Sequence, residues 1–426
     1  MEYRAPKGTF DIVPKTGDAW RLSDKWQYVE SVMKECLATY GYKEIRTPIF
    51  EQTELFVRGV GESSDIVSKE MYTFLDKGER SLTLRPEATA PIIRAFIEER
   101  LAQTGGLHKY FYIGPMFRHE RPQAGRYRQF HQLDVEAVGS GKPCQDVEVI
   151  DLACTLHRKL GLKNLRVMIN SIGDEASRKE YRAALQKFLE PHLSSLSAES
   201  QVRFSKNILR ILDSKDPSDQ KLLEKAPQTI DFLSKEAKDH FEELKRLLSK
   251  VGISYIINPK LVRGLDYYNK TVFEIVSDEL GAQNTICGGG RYDGLPALLG
   301  GPDLPCIGFA TGIERLLQTM LGQNVPFPRP THPSVFFIPL GEAALETAMS
   351  LLCELRHQGI SADIDMGAKK VQRGLELATQ EDADYAIVIG DRELEQNAVE
   401  LKNLKTREVK KLPLSKLVEE LHGSRL

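Results

Sequence analysis

The sequence predicts an α+β protein in which a strand-rich first domain holds a helical insertion and is followed by an alternating second domain. Short apolar runs separated by turn residues fill the first domain and are typical of antiparallel strands. A charged stretch at about 174–252 has helical periodicity instead. Beyond a proline-rich segment, strand and helix patterns alternate, which predicts a parallel or mixed sheet.

The first domain is expected to alternate between helices and short strands, with glycine or proline at most of the ends. The predicted elements are, in order, a helix over Ala19–Tyr40, a strand over Tyr42–Phe50, a hairpin of Met71–Leu75 and Ser81–Leu84, a helix over Ala88–Leu101, strands over Tyr110–Phe117, Phe130–Val138, Thr271–Ser277 and Thr285–Gly288, and a helix over Gly312–Leu321.

The insertion is expected to consist of amphipathic helices, two of them over Ala198–Asp213 and Thr229–Val251. Pro191, Pro217 and Pro227 should separate its helices. Composition alone is equally compatible with a solvated helical spacer that carries no chemistry.

The domain boundaries follow from a segment rich in turn formers. Gly322–Pro333 holds four prolines, as well as Gly322 and Asn324, and reads as a linker. We therefore expect domains over 1–325 and 334–426 with a linker over 326–333. The predicted elements of the second domain are a strand over Ser334–Pro339, a helix over Gly341–Gln358, a strand over Ile360–Asp365, a helix over Lys369–Ala378 and a strand over Tyr385–Gly390.

Charge and composition exclude several classes of protein. With 58 Lys and Arg against 60 Asp and Glu, bulk charge does not hold this chain to nucleic acid, and RNA binding would need local basic patches. Six cysteines without a C-x-x-C pair indicate reduced thiols rather than a disulfide scaffold or zinc ribbon. No apolar run approaches a membrane span and the start lacks a signal core, so a cytoplasmic protein is expected.

The densest candidate site is Gly114–Gly139, which carries four arginines at 118, 121, 126 and 128. Arg118 follows one predicted strand, and Gln132 and Glu136 lie on the next, where positions 132, 134 and 136 share a face. Arginines and carboxylates on one face predict a binding site in which the arginines bind a polyphosphate and the carboxylates bind an amine. A solvated basic loop above a structural sheet is the alternative.

Three further stretches are each ambiguous when read alone. Arg263 with Tyr267 and Tyr268 forms either a ligand loop or a turn with two packed tyrosines. Gly288–Gly290 either lets a ligand approach the backbone or makes a tight turn. Arg315, in the first turn of a helix, faces either a ligand or solvent. His119 and His131 lie in no set with zinc spacing. We interpret both as packing or loop residues and predict no protein-held metal.

Taken together, these stretches resemble the signature motifs of class II aminoacyl-tRNA synthetases, and specifically the histidyl-tRNA synthetase family of bacterial type. The resemblance covers essentially the whole chain, and Arg263–Tyr268 is its most specific element. The matching runs are the helix and strand ending at Thr47-Pro48 for motif 1, Phe117–Glu120 with its loop for motif 2, Gly308–Arg315 for motif 3, the pair Arg263–Tyr268 and Gly288–Leu295, and the short runs Ala5–Thr9 and Leu84–Glu87.

The resemblance implies an antiparallel catalytic sheet flanked by helices, a helical insertion and a C-terminal α/β anticodon-binding domain. It implies a ligase that joins L-histidine to ATP as histidyl-adenylate, releases pyrophosphate and transfers histidine to the 3′ end of tRNA(His). The histidine carboxylate is an anion at pH 7, so this chemistry needs fixed cations and positioning rather than a general base. Mg2+ should accompany ATP.

The resemblance also assigns residue roles. Arg118, Arg263 and Gln132 are the expected catalytic residues, with Arg118 on the α-phosphate and substrate carboxylate and Arg263 as an additional cation there. The remaining assignments are Arg126 and Arg315 for the outer phosphates, Glu120 for adenine, Glu87, Thr89 and Gln132 for the amino and carboxylate groups of histidine, Glu136, Tyr267 and Tyr268 for its imidazole, and Arg121 and Gln123 for the tRNA acceptor end.

Partner contacts are expected elsewhere on the chain. Motif 1 forms the subunit interface in this class, and the apolar helix Trp26–Leu37 before it favours a homodimer. The C-terminal domain holds 12 Lys and Arg against 16 Asp and Glu, so its anticodon contacts must be local. Lys369, Lys370, Arg373 and the Lys402–Lys411 cluster are the candidates.

Two other functions remain open at this point. One is a regulatory relative without charging activity, although such relatives typically lack the C-terminal domain and the signature residues that this chain retains. The other is a class II ligase for a different amino acid, against which Arg263–Tyr268 argues. Ala88 departs from the family, where many members have glycine, and is expected to tighten the amino-group pocket slightly.

Overall fold

The computed structural model describes residues 3–62, 64–122, 125–277 and 285–423. The chain divides into two compact units, 1–327 and 328–426, and this boundary falls within the proline-rich segment. Within the described residues, no helix combines the length and apolar character that a membrane crossing needs.

The first unit is organised around a large sheet. Its strands are β1 (Lys43–Glu44), β2 (Phe50–Gln52), β3 (Tyr72–Leu75), β4 (Ser81–Leu84), β5 (His108–Phe117), β6 (Gln129–Val138), β7 (Arg166–Ser171), β8 (Ile256–Ile257), β9 (Asn269–Val276), β10 (Thr285–Arg291) and β11 (Cys306–Gly312). The order in the large sheet is β1-β5-β6-β11-β10-β9-β7-β8, and β2-β4-β3 form a smaller one. In the large sheet β1 pairs in parallel with β5 and β8 pairs in parallel with β7, and the other pairs are antiparallel.

Helices surround this sheet and fill the insertion. They are α1 (Ser23–Thr39), α2 (Thr53–Val60), α3 (Thr89–Glu98), α4 (Pro143–Lys159), α5 (Glu175–Leu189), α6 (Ala198–Lys206), α7 (Pro217–Leu223), α8 (Lys235–Lys250), α9 (Leu295–Leu298) and α10 (Ile313–Gly322). The prediction of an antiparallel sheet flanked by helices is confirmed.

The main core lies between α1, α4, α8 and α10 and one face of the large sheet. Leu133 and Val135 of β6 belong to this core. Because side chains alternate along a strand, Gln132, Asp134 and Glu136 point to the opposite face. The buried core thus fixes which polar side chains face the candidate site.

The helix α1 does not offer its apolar face to a partner. Trp26, Val29, Met33 and Leu37 are buried in the core of their own unit. The argument that this helix favours a homodimer was therefore wrong, because its apolar stripe is already covered.

Several element predictions needed correction. Tyr42–Phe50 is not one strand, because the chain leaves β1 after Glu44 and re-enters a sheet only at Phe50, and Pro48 cannot donate to a ladder. The helix predicted to begin at Ala198 ends at Lys206, where Asn207 adopts an extended conformation. The helix predicted from Thr229 begins only at Lys235, where Ser234 caps it. Periodicity also missed α2, α4 and β7.

The second unit has its own sheet and core. Its elements are β12 (Val335–Pro339), α11 (Glu342–His357), β13 (Ala362–Ile364), α12 (Val371–Gln380), β14 (Tyr385–Ile389), α13 (Asp391–Gln396), β15 (Ala398–Asn403), β16 (Val409–Pro413) and α14 (Leu417–Gly423). The predicted βαβαβ pattern forms a parallel layer of β13-β12-β14, and β15 and β16 extend it antiparallel. The sheet is therefore mixed.

Candidate functional site

A cavity of about 250 Å³ opens on the polar face of the large sheet. Residues from distant parts of the chain converge there, since β6, β10 and β11 are neighbours in the sheet. The predicted histidine and ATP residues that line it are Glu87, Thr89, Arg118, Glu120, Arg126, Gln132, Glu136, Arg263, Tyr267, Tyr268 and Arg315.

Glycines form the floor of this cavity because long side chains lie directly across the backbone. A Cβ at Gly308 would stand 1.8 Å from Glu136 Oε2, and one at Gly288 would stand 2.5 Å from the guanidinium of Arg263. Gly288–Gly290 lie inside β10 rather than in a tight turn. The tight-turn reading of the glycine run is therefore wrong, and the run is required because neighbouring backbone also approaches it closely, 2.1 Å from a Cβ at Gly289 and 2.4 Å from one at Gly290.

Glu87, Thr89 and Glu136 form a connected group at one end. Glu87 accepts hydrogen bonds from the backbone N–H groups of Thr89 at 2.8 Å and Ala90 at 2.9 Å, so its carboxylate lies against the N-terminal end of α3, where a negative charge is favoured. Thr89 Oγ1 donates to Glu136 Oε1 at 2.6 Å, and the Tyr292 hydroxyl donates to the other Glu136 oxygen. Both carboxyls are buried.

Burial dominates the ionisation of these carboxyls. It raises the pKa of Glu136 well above its ordinary value, although the hydrogen bonds from Thr89 and Tyr292 oppose the shift. Burial likewise raises the pKa of Glu87, against the hydrogen bonds from Ala90 and Thr89. A cationic group entering this end of the cavity would stabilise the charged forms.

Arginines occupy the other end. Arg118 donates from Nε to the Pro86 carbonyl at 2.8 Å and stands 5.2 Å from the Phe130 ring centre. Arg126 pairs with Glu120 at 3.2 Å. Burial and the nearby Arg126 lower the pKa of Arg315. Because these cations crowd one another, an anion bound between them would be strongly favoured.

Arg315 is held by backbone carbonyls and so presents its charge at a fixed place. It donates from Nε to Gly125 O at 2.9 Å and from Nη1 to Thr285 O at 3.0 Å. The solvent-facing alternative for this residue does not hold.

Arg263 forms an ion pair with Glu274 of β9, a carboxylate that the sequence analysis did not single out. Its guanidinium carbon lies 5.9 Å from the Tyr268 ring centre. Its Nε is buried and has no hydrogen-bond partner among the described residues. Burial opposes its charge, yet the neighbouring Glu274 raises the pKa of Arg263 above the usual value.

The insertion holds the loop that carries Arg263 and Tyr268. Arg210 donates to the Gly264 carbonyl at 2.6 Å and to Asp65 at 2.8 Å, and Arg178 donates to the Tyr268 carbonyl at 2.9 Å. The reading of this segment as a solvated spacer is therefore wrong. Helical periodicity gave no sign of these contacts, because they come from single polar side chains.

Some predicted residues lie elsewhere. Arg121 is exposed and is not among the described residues that line the cavity, and Gln123 lies outside the described residues. Ala88 is fully buried and packs with Ile92, Tyr112 and Met116, so its methyl group enters a hydrophobic cluster rather than the cavity wall.

The two histidines of this region both make packing contacts. His131 binds Glu314 at 2.9 Å through Nδ1 and lies edge-on to Trp26, and the His119 ring lies against Tyr72. Across the parts of the chain that the structure describes, no group of three or more His, Cys, Asp or Glu side chains is placed to hold a metal ion.

Comparison with known proteins gives a consistent result. A family model described as histidyl-tRNA synthetase matches residues 21–316, and one described as anticodon binding domain matches 334–423. The chain is 54% identical to the histidine–tRNA ligase of Protochlamydia amoebophila over 422 residues, covering 99% of this chain and 100% of that protein. It is 48% identical to that of Bacillus subtilis over 421 residues, covering 98% of each.

Solved structures agree with the sequence relatives. The apo histidyl-tRNA synthetase of S. aureus superposes with a TM-score of 0.83 at 41% identity, covering 99% of this chain and 100% of that one. A protein from Bacillus halodurans described as an ATP phosphoribosyltransferase regulatory subunit/histidyl-tRNA synthetase superposes with a TM-score of 0.65 at 23% identity, covering 91% and 98%. The second likeness shows the fold alone.

Proposed function

The chain belongs to the histidyl-tRNA synthetase family and is an aminoacyl-tRNA ligase, and from this premise we propose how its cavity activates L-histidine with ATP and then charges tRNA(His). One observation carries the proposal. The cavity lining brings together two carboxylates, Glu87 and Glu136, and three arginines, Arg118, Arg126 and Arg315. The carboxylates would bind the amino group and ring of an amino acid, and the arginines would bind a polyphosphate beside it.

In the first step the histidine carboxylate attacks the α-phosphate and pyrophosphate leaves. Both reactants are anions, so the barrier is lowered by cations that stand where negative charge accumulates. We assign Arg118 and Arg263 to the α-phosphate and Arg126 and Arg315 to the outgoing phosphates. Gln132, whose Oε1 is buried without a hydrogen-bond partner in the described part of the chain, would orient the substrate.

Histidine is held at the two carboxylates, with Glu87 and Thr89 at its α-amino group and Glu136, Tyr267 and Tyr268 around its ring. A pocket that hydrogen-bonds a ring nitrogen leaves buried polar groups unpaired when an apolar analogue enters. Such pockets discriminate by roughly 10⁴–10⁵. Selection at this step would then need no second hydrolytic site.

Magnesium would arrive as part of the ATP substrate. Mg2+ commonly keeps several waters and binds through substrate phosphates with one or two carboxylates. We assign no metal ligand to Glu120, which is expected at adenine and whose Oε2 already pairs with Arg126 at 3.2 Å.

In the second step the 3′-hydroxyl of the terminal tRNA adenosine attacks the adenylate. Arg121, which is exposed and follows Glu120 of the cavity lining in sequence, would meet the acceptor end. The second unit would bind the anticodon stem, and its exposed Lys369, Lys370 and Arg373 lie at the start of α12. We place this reaction in the cytoplasm, where tRNA is used for protein synthesis.

A homodimer would form through an apolar patch that follows motif 1. Ile49, Phe50, Phe74 and Leu75 are 46%, 50%, 43% and 66% exposed, and the rings of Phe50 and Phe74 touch across the small sheet. Contiguous exposed apolar surface marks interaction sites in soluble proteins. We call these four residues the motif 1 patch.

The deciding experiment is histidine-dependent exchange of pyrophosphate into ATP, repeated with each of the other amino acids. Exchange with histidine alone supports the proposal. Exchange with a different amino acid would show another class II ligase, and no exchange would favour a regulatory protein. The intact Glu87, Arg118, Glu136, Arg263 and Arg315 favour the active enzyme over the regulatory one.

A further inference from the structure

Four buried carboxyls are among the described residues that line the cavity, and an oxygen of one of them has no hydrogen-bond partner there. Glu87 accepts two backbone hydrogen bonds, and Glu136 is bound by Thr89 and Tyr292. Glu314 is bound by the backbone N–H and the ring of His131. Asp134 is only 2% exposed. Its Oδ2 is buried without a hydrogen-bond partner in the described residues.

An arrangement of this kind is costly unless a ligand completes it. A buried polar atom without a partner loses its hydration and gains nothing in return, at a cost of about 1–3 kcal/mol and more for a charged group. Most buried polar atoms are therefore paired. The strand direction that places Gln132 and Glu136 over the cavity places Asp134 there as well, since all three line it.

The neighbours of Asp134 leave room above it. Ala310 of β11 lies opposite it on one side and Tyr112 of β5 on the other. The Tyr112 hydroxyl accepts a hydrogen bond from Arg85. The small Ala310 side chain keeps the cavity open beside the carboxyl.

The Asp134 carboxyl lies among charged groups of the cavity. Burial raises the pKa of Asp134 well above its ordinary value, the Glu87 carboxylate raises it further, and Arg85 and Arg118 lower it. Asp134 is thus electrostatically coupled to Glu87 and Arg118, which are the residues assigned to the amino and carboxylate groups of the substrate. Glu136, assigned to the ring, also feels Asp134.

We propose that Asp134 is a further substrate-binding residue, which accepts a hydrogen bond from the α-ammonium group of the amino acid substrate together with Glu87. This proposal rests on the function proposed above. An ammonium group has three N–H donors and one positive charge, so it can satisfy the unpartnered oxygen and relieve the repulsion between two neighbouring carboxylates. A neutral ring nitrogen would relieve less of that repulsion.

The test compares two ligands that differ only in the amino group. Binding of histidine and of imidazolepropionate, which lacks the α-amino group, is measured by calorimetry on the full-length chain and on Asp134→Asn. The variant should bind histidine roughly 10–100-fold more weakly, the range of a hydrogen bond to a charged group. Its affinity for imidazolepropionate should change less than about threefold on the same scale.

Other outcomes are equally informative. Equal weakening of both ligands would overturn the proposal in favour of a ring-binding or purely structural role, and unchanged binding of both would overturn it as well. Asp134→Ala, which leaves no polar atom behind, should show the same selective loss and guards against an artefact of the amide. If the unmodified chain binds no histidine at all, the proposed function itself fails.

Discussion

Thr89 links two carboxylates that sit on different elements: its backbone N–H donates to Glu87 at 2.8 Å and its hydroxyl donates to Glu136 at 2.6 Å. Glu87 lies just before α3 and Glu136 lies on β6. One threonine therefore sets the spacing between the proposed amino-group site and the proposed ring site. The enzyme would therefore select histidine by the distance between its amino group and its ring as well as by the individual contacts.

Replacing Glu136 with glutamine should affect histidine much more than ATP. The change keeps the shape and the Thr89 acceptor but removes the charge that would meet a ring N–H. We expect the KM for histidine in pyrophosphate exchange to rise about 10–100-fold, as for loss of a hydrogen bond to a charged group, and most strongly where free imidazole is protonated. An unchanged KM from pH 6 to 8 would transfer the ring-reading role to another residue, with Tyr267 the next to test.

The same variant has a predicted signature in stability. Because burial raises the folded-state pKa of Glu136 above 4.5, this carboxyl stabilises the fold least at high pH: its contribution is present below the unfolded pKa and is lost as pH rises through the folded pKa. Glutamine does not titrate. The melting temperature of Glu136→Gln relative to the unmodified protein should therefore increase from pH 5 to pH 8 without ligands, and a flat difference would contradict the assigned shift.

Arg263 should be needed for chemistry rather than for folding. We expect Arg263→Ala to lower adenylate formation by roughly 10²–10³, about the loss of one strong oxyanion donor. Arg263→Lys is the informative comparison, because it can keep the ion pair with Glu274 but loses the planar fork. Single-turnover adenylate formation should be slow in both variants. Full activity in the lysine variant would reduce the role of Arg263 to its ion pair.

Arg210 should act at a distance through the loop that it holds. Removing its hydrogen bond to the Gly264 carbonyl in Arg210→Ala should loosen Arg263 and Tyr268, and lower kcat/KM for histidine roughly tenfold, about 1.4 kcal/mol. Lys206→Ala removes an exposed charge from the same insertion and serves as the control. Equal effects of the two substitutions would indicate a general charge effect instead.

The motif 1 patch should hold two copies of the chain together. Phe74→Glu places a charge within it and should convert the protein to a monomer in sedimentation velocity at micromolar concentration. Val251→Glu, at another exposed apolar position of the first unit, should leave the association state unchanged. A monomer with full activity in the unmodified protein would refute the dimer proposal.

A chain ended after Phe327, at the boundary between the two units, should separate the two reactions. Histidine-dependent pyrophosphate exchange should persist, because the cavity-lining residues all precede this point. Charging of tRNA should be poor, since the proposed anticodon contacts are gone. Parallel loss of both activities would mean that the second unit supports the catalytic one.

Much of the fold was predictable because it depends on periodicity and turn residues. The hairpin around Lys77 and Gly78 and the βαβαβ pattern of the second unit are local signals, and both are confirmed. The helix α4 was missed, although it buries residues such as Ile150 and Leu156. Its charged and apolar residues gave no pattern that stood out between two stronger motifs.

Only the site residues that belong to recognisable motifs could be predicted from the sequence. Motif resemblance selected side chains that do converge on one cavity. It did not select Asp134, Glu274 or Tyr292, whose importance depends on pairing between strands far apart in sequence. One feature of the sequence did indicate Asp134. Because side chains alternate along a strand, Asp134 shares a face with Gln132 and Glu136, and this placed it on the side of the predicted site.

The glycine floor has a consequence for how this pocket can change over generations. At Gly308 even a methyl group would stand 2.3 Å from the Val135 carbonyl oxygen and would also collide with Glu136, so a mutation there would block the pocket instead of adjusting it. New substrate preferences would therefore arise from side chains that line the cavity around the proposed ring site, such as Tyr267. Evolutionary change in substrate preference is thus expected at these side chains and not at the backbone of Gly308.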